Sequence, residues 1–201
     1  MGEFAIARDV MVAVSAAVGA GTALWGVNTW RRQLAGQDEY EAALRALKAA
    51  YKLRDAIAIV RNPWMGSEEQ GAALQELGES LPDGDDSVRS KKLIAMTYTV
   101  RWRGINDAIQ DLDVARVEAE ALWGQSCSDA FKPLRTCIGR LNWAVNAELS
   151  DRTQRSSNLA REIMDTAYGD SSESDVFWGD VQDAIAEIEN LVRPRLKRFV
   201  R

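Results

Sequence analysis

YTVRWRGINDAIQDLDVARVEAEALW, residues 98–123, is the stretch whose reading decides the fold. Tyr98, Trp102, Ile105, Ile109, Leu112, Arg116, Ala119 and Trp123 follow alternating steps of four and three. That seven-residue period belongs to a helix packed lengthwise on another at a shallow angle. Arg116 is the charged member of the seam. It has either to snorkel outward or to meet a carboxylate from a neighbouring helix. Gly124 closes the segment.

Working outward, a following helix begins near Ser128–Asp129, tolerates Pro133 in its first turn, and repeats the spacing at Leu134, Ile138, Leu141 and Val145. SDRTQRSSN, residues 150–158, is wholly polar, so that helix continues there as an exposed stretch or breaks. A helical pattern resumes from Leu159 to Tyr168, before Gly169. A last helix starts near Ser174 and presents Phe177, Val181, Ile185, Ile188, Val192 and Phe199, with Pro194 expected to kink it or end its regular part.

Upstream, DEYEAALRALKAAYKLRDAIAIVR, residues 38–61, opens with Asp38, Glu39 and Glu41, which complement a helix dipole. Its apolar stripe is Tyr40, Leu44, Leu47, Tyr51, Leu53, Ile57 and Val60. Asn62-Pro63 ends it, because the residue before proline is pushed out of the α region. A short helix around 67–80 and the loop SLPDGDDS lead back to the opening stretch. No segment sustains a two-residue alternation. The expectation is an all-α fold, a cytoplasmic bundle of four or five helices over residues 31–201.

From Val10 to Trp30 the chain reads VMVAVSAAVGAGTALWGVNTW without a charge. About twenty residues are what a helix needs to cross a bilayer core. Trp25 and Trp30 lie at the end where indole favours the headgroup region, and Arg31 and Arg32 follow at once. A soluble buried helix is the alternative, since the segment is rich in Ala and Gly. MGEFAIARD lacks the basic start of a secretion signal, and Ile6 occupies the position where a myristoylation motif has Ser or Thr. Residues 1–9 would be a short external terminus. Arg31, Arg32, Arg45, Lys48, Lys52, Arg54 and Arg61 after the span, against Arg8 before it, orient the main domain to the cytoplasm. Small residues four apart, Ser15 and Gly19, Ala16 and Ala20, Ala17 and Gly21, allow close approach of two helices in lipid. Ser15, Gly19, Ala20 and Gly21 are therefore the candidate association face.

The chain has 201 residues and a net charge of −5, so overall charge draws it neither to nucleic acid nor to anionic lipid. There is no histidine, which excludes histidine-dependent triads, histidine-ligated zinc and glutamate–histidine di-iron sites. Cys127 and Cys137 fit neither a zinc knuckle nor a redox CxxC motif and read as two reduced thiols. Asp107 and Asp111, with Asp113, Glu118 and Glu120 nearby, could chelate magnesium or act as an acid/base pair; a solvated helix face is the favoured reading. No metal, cofactor or catalytic residue is assigned. Arg193, Arg195, Lys197, Arg198 and Arg201 form a basic end suited to anionic lipid or to a helix C-terminus, with Arg31 and Arg32 as further lipid or partner contacts. Arg54, Asp55, Arg61, Asn62 and Arg116 are candidates for an interhelical polar network or a partner-binding edge.

Three segments, WRRQLAGQDEYEAALRALKAAYKLRDAIAIVRNPW at 30–64, RWRGINDAIQDLDVARVEAEALWG at 101–124 and IENLVRPRLKR at 188–198, resemble a family of uncharacterised bacterial single-pass membrane proteins. In these a short hydrophobic helix precedes W-R-x-Q-L-x-G, Y-K-x-R-D-A-I ending V-R-N-P, and E-A-E-x-L-W-G motifs. The resemblance implies a bacterial inner-membrane setting and no activity. The function expected is a self-associating, membrane-tethered scaffold or partner-binding module without enzymatic activity. Its expected partners are membrane lipid, further copies of the chain and an unidentified protein; nucleic acid is disfavoured. The rivals are a membrane effector or accessory component of a bacterial stress or phage-defence system, and a carboxylate-dependent metal nuclease or hydrolase.

Overall fold

The computed structural model describes residues 2–78, 80, 81, 85–150, 156–169 and 174–197, leaving the side chains at 2–10, 12–14, 16, 17, 32 and 35 outside the description. Its helices are α1 (Gly2–Arg61), α2 (Ser67–Leu77), α3 (Asp86–Trp123), α4 (Gln125–Asp129), α5 (Lys132–Leu149), α6 (Ser157–Ala167) and α7 (Val176–Lys197). Among the described residues there is no strand, and the chain is all-α as its periodicity predicts. The helices outnumber the four or five expected because short pieces, α4 and α6 among them, form separate elements.

Local chemistry sets the boundaries. Asp85 caps α3 by accepting the Ser87 amide at 3.1 Å. Gly78 ends α2 in the left-handed conformation, φ 62°, and its amide reaches the Leu74 and Gln75 carbonyls. Asp175 Oδ1 accepts the Trp178 amide at 2.9 Å and so starts α7. Pro133 sits in the first turn of α5, where its missing N–H costs nothing. Pro194 does not end α7, which continues to Lys197.

Contacts divide the chain at Glu41 and Ala42. The second unit, from Ala42, holds the core. There α1 buries Ala42, Ala43, Ala46, Ala49, Ala50, Leu53, Ala56, Ile57 and Val60, whereas Leu47 and Tyr51 are only partly buried at its edge. The stripe expected at Leu44, Leu47 and Tyr51 is thus off-centre, and alanine, which lets neighbouring backbones come close, occupies its middle. A similar rotation occurs in α3. Tyr98, Ile105, Leu112 and Ala119 are buried as predicted, but the seats between them are Arg101, Ala108 and Ala115 rather than Trp102, Ile109 and Arg116. Both registers have a seven-residue period and share four members, so periodicity alone does not separate them. The predicted core positions of α5 and α7 are all buried, apart from Phe199, which lies outside the described residues.

The first unit is the opening part of α1. Among the described residues, no helix is long and apolar enough to cross a membrane; the expected span, Val10–Trp30, lies only partly within them. What is described there is dominated by small side chains such as Gly19, Ala20, Gly21, Ala23 and Gly26, each offering little apolar surface. The side chains at 10, 12–14, 16 and 17 lie outside the description, and the helix expected from Asp38 to Arg61 is the later part of α1 and does not start at Asp38.

Candidate functional site

Every residue from 18 to 28 of α1 is exposed, including Val18, Leu24, Trp25 and Val27, and Met11 and Trp30 are exposed on either side. The predicted face is open: Ser15, Gly19, Ala20 and Gly21 are exposed, and a Cβ built on Gly19 or Gly21 would meet no neighbouring atom within 4 Å. The helix geometry extends this face to positions the i, i+4 pairs missed. Ser15, Gly19, Thr22, Gly26 and Thr29 follow steps of four and three, so small residues line one seam over two heptads. The signal was legible, but only by looking for the period of seven. The Thr22 hydroxyl donates to the Val18 and Gly19 carbonyls at 3.0 and 2.9 Å, and Thr29 donates to Trp25 at 2.9 Å. These hydroxyls are satisfied by their own helix and ask nothing of their surroundings. Arg31, which follows, is exposed; the Arg32 side chain lies outside the description.

Of the predicted polar network, Arg61 is the member that ties the end of α1 to α6 and α7. It is completely buried at the end of α1. Its guanidinium donates to the carbonyls of Asp165, Thr166 and Tyr168 at 2.9, 2.9 and 3.0 Å, and to Asp175 Oδ1 at 3.0 Å. Nη1 and Asp175 Oδ2 face each other at 2.8 Å as an ion pair, in a geometry short of a hydrogen bond. The charge also lies 4.7 Å from the Phe177 ring centroid. One side chain therefore takes up the free carbonyls at the end of α6 and fixes the capping residue of α7. Gly169 makes the close approach possible, because a Cβ there would collide with both Asp175 and Arg61. Beside this network lies a cavity of about 690 Å³ lined by Arg140, Arg161, Glu162, Asp165, Tyr168 and Phe177, among others. Arg140 is ion-paired with Asp180.

A second buried arginine, Arg101, was not singled out by the sequence. Its guanidinium donates to both Glu69 oxygens, at 2.6 and 2.7 Å, and to the carbonyls of Asn62 and Trp64, each at 2.6 Å. The charge-assisted pair holds the Glu69 carboxyl below its ordinary range. Asn62 Oδ1 accepts the Trp64 amide at 2.9 Å, so the turn is held from both sides while the Trp64 side chain is 82% exposed.

The remaining candidates make fewer contacts each. Arg54 pairs with its neighbour Asp55 at 2.8 Å and lies over the Tyr51 ring, so the two do not bridge helices. Arg116 leaves the seam and meets Glu120 at 3.2 Å on its own helix and Ser128 Oγ at 3.4 Å on α4. Arg193 pairs with Glu189, whose carboxylate also accepts the Tyr51 hydroxyl at 2.5 Å; this hydrogen bond raises the Tyr51 pKa and lowers that of Glu189. Arg195 stacks 4.2 Å from the Trp123 ring centroid and donates to Leu191 O. Lys197 is exposed, and Arg198 and Arg201 lie outside the described residues. Asp111 pairs with Lys52 at 2.6 Å, and no metal-binding cluster occurs among the described residues. Cys127 and Cys137 are buried free thiols, and burial raises the Cys137 thiol pKa.

The chain matches no protein-family model, no curated protein and no solved structure.

Proposed function

We propose that this protein is a membrane-tethered helical scaffold, anchored by the opening part of α1 and self-associating through its small-residue seam, whose bundle serves as a partner-binding module. The observation that carries the reading is the unbroken exposure of residues 18–28, a stretch with no charged side chain. An amphipathic helix keeps one charged face for water, and this stretch has none, while its small side chains leave the helix backbone open on every side. The back-bonded Thr22 and Thr29 hydroxyls suit a medium that supplies no hydrogen bonds. Trp25 and Trp30 with Arg31 suit the interface, and the basic residues downstream favour a bacterial inner-membrane protein with its bundle in the cytoplasm. The seam of Ser15, Gly19, Thr22, Gly26 and Thr29 supports pairing with a second copy, since small residues let helix backbones touch where lipid supplies no hydrophobic drive.

The test is fractionation and size together. Full-length protein should stay with alkaline-washed membranes, and detergent extracts should contain an oligomer that Gly26→Ile disrupts and Val27→Ile spares. Recovery in the alkaline wash would end the tether reading; an unaltered oligomer in Gly26→Ile would end the seam reading.

A further inference from the structure

We draw no further inference here: the strongest candidate, the cavity between α5, α6 and the start of α7 beside the Arg61–Asp175 pair, has its buried charges partnered within the fold, and nothing in the structure shows what fills it.

Discussion

Residues 18–28 and residues 42–60 belong to one helix, and small side chains dominate both, yet the first stretch is exposed at every position while the second buries Ala42, Ala43, Ala46, Ala49 and Ala50. Hydrophobicity per residue does not separate them. Charge does. The second stretch carries Arg45, Lys48, Lys52, Arg54 and Asp55 away from its buried stripe, which gives the helix a wet side and therefore a dry one. The first has no charge with which to define sides. Burial in a protein core is directional, whereas exposure in the first stretch has no direction at all.

The same substitution made in each stretch breaks or sharpens that contrast. Ala50→Arg places an unpaired charge in the core and should lower unfolding stability by about 3–5 kcal/mol, read by denaturant titration of full-length protein in mild detergent. In the membrane-tethered state proposed above, Leu24→Arg should leave that titration unchanged and instead disfavour insertion by about 2.5–3.5 kcal/mol, seen as loss from the membrane fraction. If Leu24→Arg lowered the unfolding midpoint as Ala50→Arg does, the two stretches would not differ in kind. Arg61→Leu should approach the Ala50→Arg effect, because it leaves the buried Asp175 carboxylate without its countercharge. Gly169→Ala is next, at about 1–3 kcal/mol, as its Cβ forces Asp175 and Arg61 to shift.

The smallest effect concerns pH. Arg101 lowers the folded pKa of Glu69, so the charged pair contributes stability above the ordinary carboxylate pKa, which is lost as pH falls through the folded value. Glu69 is partly exposed, so Glu69→Gln should cost under about 1 kcal/mol at neutral pH. The gap to the parent protein should close as pH falls below about 4, measured by unfolding at a series of pH values. A gap that widened on acidification would show that the pair opposes folding.

Most of the fold was legible because helix-forming patterns are local. The seven-residue spacing of α3, the end of α1 at Asn62-Pro63, the closure at Gly124 and the buried faces of α5 and α7 were all readable within a few turns of sequence. What was hidden depends on distance. Nothing near Arg61 announces Asp175, which lies 114 positions away, so a buried ion pair reads locally as a helix end. Arg195 looks like a basic tail until Trp123 is placed beneath it. Arg101 and Arg116 could each have filled the α3 seam, and the choice fell to Glu69 and to two carbonyl oxygens after α1. The small-residue row of α1 is local too: Ser15, Gly19, Thr22, Gly26 and Thr29 emerge from alternating steps of four and three, not from pairs four apart.

The Arg101 clamp bears on how the chain meets a protease. Pro63, Trp64 and Gly66 are exposed in the turn after α1, a position where cleavage ordinarily concentrates. A protease must draw several residues into an extended strand before it can cut, and here two of the carbonyls it would have to take are already held by a guanidinium that Glu69 anchors. Cutting therefore waits on local opening of the clamp, and the turn is accessible in the sense of surface area while remaining closed in the sense of chain slack.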